Sequence, residues 1–152
     1  MTRPPAPALR AAAPADYDAI AAVIDDWWGR PILGALPRLF LDHFHRTSLI
    51  AEDPAGMAGF LIGFMSPSEA DEAYIHFVGV SPGARASGVA RTMYERFFDL
   101  ARHHDRRVVK AITAPVNTAS QAFHRRMGFT VSEPIPGYNG PGTNLVTFAR
   151  TI

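Results

Sequence analysis

Apolar and polar residues change spacing several times along the first third of the chain. A short apolar run at residues 9–12 predicts a strand. Ile20, Val23 and Ile24 recur at helical spacing and predict a first helix. Pro37 begins a second helix, because proline is favoured in the first turn. The apolar stripe of that second helix comprises Leu36, Phe40, Leu41 and Phe44.

Three strand-like runs follow. They occupy residues 48–52, 57–64 and 72–80, and the central run is dense enough in apolar residues to be buried. The turn sequence "DPAG" at 53–56 separates the first two, and a polar loop at 66–71 separates the last two. This spacing predicts an antiparallel meander.

The second half of the chain mixes helices with shorter strands. Residues 88–105 predict the longest helix, residues 108–113 a strand, and residues 117–127 a short helix. Closing strands are expected at 129–131 and 145–148. A strand, a helix and a further strand over this length imply a parallel crossover pair. One face of the longest helix carries Val89, Met93, Phe97 and Leu100.

The predicted element order is β-α-α-β-β-β-α-β-α-β-β. It indicates an α/β protein of the α+β type, with a mixed, mostly antiparallel central sheet of about six to seven strands flanked by about four helices. We expect a single domain over residues 1–152, with a flexible tail at residues 1–7.

Composition excludes several classes of function. The net charge of +1 gives no support for nucleic acid or an anionic membrane as a partner. The absence of cysteine excludes disulfides, thiolate metal sites and a cysteine nucleophile. No apolar run approaches the roughly 20 residues that span a bilayer. His43 and His45 diverge on a helix, so no metal site is expected. Because the chain has no cysteine and no membrane-spanning run, we predict a cytoplasmic protein.

The stretch "VSPGARASGVA" at residues 80–90 joins a predicted strand to the longest helix. Its proline and glycines turn the chain, and Gly88 lets the backbone approach a ligand closely. Residues 86–91 then expose the N–H groups of the first helical turn, which favour an anion such as phosphate. Arg85 and Arg91 add positive charge. By themselves these features predict an anion site only.

Two motifs resemble those of a known family. "RASGVA" at residues 85–90 resembles the [QR]-x-x-G-x-[GA] signature of the GNAT superfamily of acetyl-CoA-dependent N-acetyltransferases. "NTASQAFHRRMGF" at residues 117–129 resembles the family's N-x-x-[AS]-x-x-x-[YF]-x-x-x-G-F segment. The element order matches along nearly the whole chain. The resemblance implies a GNAT-like fold with a splayed parallel strand pair, and acetyl-CoA as the acetyl donor.

The same resemblance assigns residues to the cofactor. It implies that the strand ending at Val80 bonds the pantetheine arm through its backbone, with Gly79 as a bulge candidate. It implies that the helix start holds the pyrophosphate and that the next helix reaches the pantetheine or the sulfur. The cofactor-binding residues are then Phe77, Val78, Gly79, Val80, Arg85, Ala86, Ser87, Gly88, Val89, Ala90, Arg91, Asn117, Ser120 and His124.

His124 stands where the family usually has the tyrosine that protonates the leaving thiolate. Histidine can act as a general acid because its ordinary pKa lies near 6.5. The sequence leaves open whether His124 does so or only packs over the cofactor. Tyr94 and Tyr138 are weaker substitutes, since nothing in their spacing points to the thioester.

His76 is the candidate base that would neutralise the amine. It lies inside the predicted strand, on the same side as Val78 and Val80 by period-two alternation, and a structural role is equally open. Asp71 and Glu72 lie further out and are expected to be solvated.

The stretch "DDWWGR" at residues 25–30 is expected at the connection between the first two helices, which in GNAT folds borders the acceptor pocket. Acids and aromatic rings suit a cationic amine. Alternatively, Arg30 suits a carboxylate or phosphate of the acceptor. The tryptophans could equally be core residues. The substrate-binding candidates are Asp26, Trp27, Trp28, Arg30 and Tyr138.

The predicted function is transfer of acetyl from acetyl-CoA to a primary amine of a small molecule or a protein. Direct transfer in a ternary complex is expected, because no cysteine can carry the acetyl group. One alternative is a non-catalytic module that binds acyl-CoA, and a weaker one is a nucleotide-binding regulator. Exposed strand edges and the aromatic connection favour a homodimer.

Overall fold

The computed structural model of the chain describes residues 6–152. This part of the chain contains seven strands and four α-helices. Their bounds are β1 (Ala8–Ala11), α1 (Asp16–Trp28), α2 (Leu39–Phe44), β2 (Leu49–Asp53), β3 (Gly56–Met65), β4 (Glu72–Val80), α3 (Val89–His103), β5 (Val108–Thr113), α4 (Thr118–Arg126), β6 (Thr130–Val131) and β7 (Val146–Thr151).

The seven strands follow the order β1-β2-β3-β4-β5-β7-β6. β4 and β5 pair in parallel, whereas β1–β2, β2–β3, β5–β7 and β6–β7 pair antiparallel. The predicted mixed, mostly antiparallel sheet with its parallel crossover pair is therefore confirmed.

The chain forms two compact units. The first comprises the described residues up to Phe64 together with residues 77–100, and the second comprises residues 65–76 and 101–152. The expectation of one domain over residues 1–152 stays a prediction. Of the tail predicted at residues 1–7, residues 1–5 lie outside the described part, and residues 6–7 have no regular secondary structure.

The first unit has an apolar core that its periodic residues predicted. Ile20 and Ile24 of α1 are fully buried, and they belong to one cluster with Leu41 of α2 and Phe60 of β3. Three of the four residues predicted for the face of α3, at positions 89, 93 and 97, are also buried. Helical spacing placed these side chains on one stripe, and their burial stabilises the helices against the sheet.

The sequence stretch at residues 25–30 lies partly elsewhere than predicted. It was expected in the connection after the first helix, but Asp25 to Trp28 form the last turn of α1. The helix ends at Gly29, whose φ of 72° is left-handed and whose N–H donates to the carbonyls of Asp25 and Asp26. Glycine is favoured at this position because it has no Cβ to strain the backbone.

The second unit is built around β5, which pairs with both β4 and β7. Glu72, Ala73 and Tyr74 of β4 are in parallel register with residues 108–110 of β5, and Lys110 pairs with Glu72 at 2.5 Å. The guanidinium of Arg106 donates to three carbonyl oxygens of the polar loop at residues 66–70. These bonds hold the loop that precedes β4 against Arg106, which lies two residues before β5.

Two predicted bounds were wrong. The last strand was expected at residues 145–148, but β7 runs from Val146 to Thr151. Its final three residues are held by antiparallel pairing with Val108, Val109 and Lys110 of β5 rather than by apolar side chains. The second helix is shorter than predicted, since α2 covers six residues between two single 3-10 turns.

Candidate active site

The turn before α3 has the geometry of an anion site. Residues 82–84 form one 3-10 turn, and residues 85–88 are exposed. Gly88 has a left-handed φ of 79°, and a Cβ built on it would meet no atom within 4 Å. The first-turn N–H groups of a helix have no partners within the helix, and its dipole is positive there. The turn is thus open to a phosphate group at its glycine.

Of the two arginines predicted to add charge at this turn, both make protein contacts in the structure. Arg85 donates from Nη2 to the backbone carbonyl oxygen of Trp27 at 2.5 Å. Arg91 lies 3.5 Å from Glu95 one helical turn further on, and both side chains are more than half exposed. An exposed pair of this kind contributes little to stability. Arg91 therefore remains available to an anion, whereas Arg85 is held by backbone.

The end of β4 passes closely over an aromatic ring. A Cβ on Gly79 would lie 2.5 Å from Cε1 of Phe60, so only glycine fits without a shift of the ring. The close neighbour of Gly79 in the structure is this ring. A bulge that points an N–H at a thioester stays a prediction, as does pantetheine binding by the backbone of residues 77–80.

The parallel register of β4 and β5 spans three pairs and ends at Tyr74 and Lys110. β5 continues to Thr113 in register with β7. The two parallel strands therefore part after these residues, within the second unit. This agrees with the splayed pair that the resemblance implies.

Asn117 caps helix α4. Its side-chain oxygen accepts from the Ser120 N–H at 3.2 Å, and its Nδ2 donates to the Thr113 hydroxyl at 3.1 Å. An asparagine at the N-cap accepts a hydrogen bond from one of the first-turn backbone N–H groups, which have no partner within the helix. The side chain thus ties α4 to the end of β5, and its predicted contact with the cofactor stays a prediction.

His124 is buried, with 5% of its surface exposed. Its ring stacks on Phe148 of β7 at a centroid distance of 3.8 Å and an interplanar angle of 6°. Nδ1 lies 2.7 Å from the carbonyl oxygen of Ser120. Burial lowers the pKa of His124 to about 4, although the contact with Ser120 acts in the opposite direction. The imidazole is therefore neutral near neutral pH.

The other candidate acids are tyrosines in different settings. Tyr94 is buried in the first unit, and burial raises the pKa of its hydroxyl. Tyr138 is 47% exposed and lies in the glycine-rich loop between β6 and β7. Burial, with a smaller effect of Tyr138, raises the pKa of Tyr74 to about 12.

His76, the candidate base, is half-buried on β4 as the sequence predicted. Glu72 lies at the beginning of the same strand and forms an ion pair with Lys110 at 2.5 Å. The catalytic roles of His76 and His124 stay predictions.

The two tryptophans of α1 contact aromatic rings of the sheet. Trp27 lies 5.9 Å from Phe60, and Trp28 lies 4.5 Å from Phe77, both between ring centroids. Each tryptophan is partly buried, whereas Asp26 and the nearby Arg30 are exposed. Charged groups of both signs thus lie beside a half-buried aromatic surface, which suits an acceptor that carries an amine and an acid.

Some contacts at these positions had no signal in the sequence. Phe148 lies under His124, and Phe77 lies under Trp28, but each pair is far apart in the chain. The Asp25 carboxylate accepts from the N–H groups of Ile32 and Leu33, so it orders the chain after α1. This contact also had no signal, because Asp25 lies inside a helix and its partners are seven and eight positions further on.

Within residues 6–152, no group of three or more histidine, aspartate or glutamate side chains is arranged to hold a metal ion. The helices described there also include none that is long and apolar enough to cross a bilayer.

Comparison with known sequences supports the resemblance. The family model described as the acetyltransferase (GNAT) family matches residues 13–129. The L-2,4-diaminobutyric acid acetyltransferase of Shouchella clausii is 28% identical over 89 residues, which are 59% of this chain and 50% of that protein. The chain spans about half the length of the curated relatives it matches.

Solved structures share the fold. Ard1 from Thermoplasma volcanium aligns with a TM-score of 0.82 at 20% identity, over 97% of this chain and 99% of that one. The diaminobutyrate acetyltransferase of Paenibacillus lautus, in complex with L-2,4-diaminobutyric acid and coenzyme A, aligns with a TM-score of 0.70 at 22% identity, over 93% of each chain. Since the family model covers most of the chain, the chain belongs to the acetyltransferase (GNAT) family.

Proposed function

We propose that this protein transfers an acetyl group from acetyl-CoA directly to a primary amine. Its membership of the acetyltransferase family supports this reaction. The observation that carries the proposal is the turn before α3, where Gly88 adopts a left-handed backbone with open space in front of it. The chain has no cysteine to carry the acetyl group between donor and acceptor, so transfer occurs in one step.

The residues at this turn fit the pyrophosphate of acetyl-CoA. Residues 85–88 are exposed, and the positive end of α3 favours a dianionic group. We propose that the N–H groups of residues 86–91 hold the pyrophosphate and that Arg91 adds charge. We further propose that the backbone of residues 77–80 holds the pantetheine arm. Asn117, Ser120 and His124 are proposed cofactor contacts on the strength of the family motif alone.

The chemistry needs a neutral amine and a proton for the leaving sulfur. Acetyl-CoA supplies a thioester, whose carbonyl carbon bonds to the amine nitrogen while its bond to sulfur breaks. We propose that His76, directly or through water, takes the proton that the amine loses. The buried and neutral His124 is better suited to pack against the pantetheine arm than to protonate the thiolate. The thiolate would then receive its proton from water.

The acceptor we propose is a small amine that also carries a carboxylate. The curated relatives are named for L-2,4-diaminobutyric acid, which has both groups. In this chain Asp26 and Arg30 are exposed beside Trp28, and they suit an ammonium and a carboxylate respectively. Tyr138, which is 47% exposed, stays a proposed acceptor contact. A protein amine remains the alternative acceptor.

Two further features belong to the proposal. A cytoplasmic location fits a chain without cysteine. A homodimer fits the exposed edge strand β1, because free strand edges favour pairing with a second chain. Size-exclusion chromatography with light scattering tests the dimer, and a monomer at every concentration would contradict it.

The test of the function combines binding with turnover. Calorimetric titration with CoA is expected to show one site, and release of free thiol is expected when acetyl-CoA and L-2,4-diaminobutyrate are both present. Turnover on a peptide amine alone would support the proposed reaction with the alternative acceptor. Binding of CoA without turnover on a broad amine panel would instead support a non-catalytic acyl-CoA-binding module. Binding of ATP but not CoA would support a nucleotide-binding regulator.

A further inference from the structure

Arg85 connects two parts of the first unit that are far apart in the chain. Its Nη2 donates to the backbone carbonyl oxygen of Trp27 at 2.5 Å, across 58 positions. Arg85 begins the exposed stretch that ends at Gly88, and Trp27 lies in the last turn of α1. The side chain therefore links the anion-binding turn to the end of the first helix.

Arg85 donates to a backbone carbonyl group at the C-terminal end of α1. The last carbonyl groups of a helix have no partner within it, and they carry partial negative charge. α1 has no basic residue in its last turn. The N–H of Gly29 bonds to the carbonyls of Asp25 and Asp26, and Arg85 bonds to the next one, that of Trp27. A guanidinium supplies both the donor and the opposite charge.

The turn that Arg85 holds carries an aromatic layer. Trp27 stacks on Phe60, and Trp28 packs against Phe77 with the rings tilted by 40°. Phe60 and Phe77 stack on each other at 6.1 Å and 11°. Beside this layer lie the exposed charges of Asp26 and Arg30. The positions of these groups depend on where α1 ends, because each belongs to its last turn or to the residues just after it.

We propose that Arg85 is a positioning residue for the acceptor: it holds the last turn of α1, with Trp27 and Trp28, in the arrangement that binds the amine. It does this through the Trp27 carbonyl and not by contact with the cofactor. The assignment of an acceptor to this surface rests on the proposed function. The structural link between Arg85 and the two tryptophans does not depend on the proposed function.

The experiment compares Arg85→Gln and Arg85→Lys with Arg91→Gln, a matched control at the other arginine near the same turn. Trp27 and Trp28 are the two tryptophans of the sequence, so emission excited selectively in tryptophan rather than tyrosine reports on this turn alone. Without any ligand, Arg85→Gln is expected to change the emission maximum and to increase quenching by acrylamide. Arg85→Lys is expected to restore part of the original signal, and Arg91→Gln to leave it unchanged.

In steady-state kinetics, Arg85→Gln is expected to raise the KM for the amine by about fivefold or more and that for acetyl-CoA by less than about twofold. The opposite split, with unaltered fluorescence, would make Arg85 a cofactor ligand and overturn the proposal. If the wild-type protein transfers no acetyl group, the proposed function fails, and fluorescence alone decides the link. If the emission maximum and the acrylamide quenching of Arg85→Gln are then identical to those of wild type, the proposed link between Arg85 and the end of α1 is overturned.

Discussion

The Nδ1 atom of His124 lies 2.7 Å from the backbone carbonyl oxygen of Ser120. A carbonyl oxygen only accepts hydrogen bonds, so Nδ1 carries the ring proton and Nε2 of the neutral ring carries none. With its ring stacked on Phe148 and its pKa lowered to about 4 by burial, the imidazole is neutral near neutral pH, and its one N–H proton is held by the Ser120 carbonyl. This hydrogen bond favours a packing role for His124 over the acid role that tyrosine has in the family.

His124→Phe is therefore expected to retain activity. Phenylalanine can stack on Phe148 as the imidazole does, and no acid is lost. We expect kcat near neutral pH to stay within about threefold of wild type, because loss of a true general acid costs about 100-fold or more. A fall of that larger size, with His124→Tyr restoring the rate, would show that a proton donor is needed at this position.

The lowered pKa of His124 also predicts a stability that depends on pH. An unfolded histidine titrates near 6.5, whereas the folded one titrates near 4. Between these values the unfolded state binds more protons, so the free energy of unfolding falls as pH falls from 6.5 to 4. The full effect is about 3 kcal/mol. Urea titrations across this range should show the wild type losing stability relative to His124→Phe, and parallel curves for the two proteins would contradict the assignment.

Gly88→Glu is expected to weaken CoA binding. The substitution puts a side chain on a left-handed backbone and a negative charge in the open space before α3. Gly83→Glu is the matched control, because it places the same charge in the preceding turn at a position without this backbone constraint. Calorimetry should show the Kd for CoA rising about tenfold or more for Gly88→Glu, which is about 1.4 kcal/mol. Equal increases in the Kd for CoA in the two variants would contradict pyrophosphate binding at this turn.

Gly79→Ala is expected to destabilise the fold. The added Cβ would lie 2.5 Å from the ring of Phe60, which is itself fully buried. Overpacking of this kind costs about 1–3 kcal/mol. Gly83→Ala is the control, because a Cβ there meets no atom within 4 Å. Urea denaturation measures both variants, and a loss below about 0.5 kcal/mol for Gly79→Ala would show that the ring moves aside freely.

Much of the fold could be predicted because its elements depend on local patterns. Ile20 and Ile24 at helical spacing, and the dense apolar run of β3, define elements that the structure contains. The sequence could not predict the length of β7, since Ala149, Arg150 and Thr151 have no strand-like apolar pattern. Their backbone pairing with β5 holds them in the sheet.

The candidate site could be predicted only where its residues belong to a motif. Gly88 and His124 are at positions that a motif identifies. Their environments come from long-range contacts: the stacking of His124 on Phe148, and the bond from Arg85 to Trp27. Neither contact joins residues close in sequence, so no spacing rule could indicate it. Each contact supports the role proposed for its residue, packing for His124 and positioning for Arg85, which the motif alone does not indicate.

The central claim is direct transfer of acetyl from acetyl-CoA to an amine. The most direct measurement incubates the protein with acetyl-CoA and L-2,4-diaminobutyrate, quantifies free thiol, and identifies the acetylated amine by mass spectrometry. We predict equal amounts of thiol and N-acetylated product, with both dependent on the amine. Binding of CoA with no product from this or any other amine, or thiol release without an acetylated amine, would contradict the account.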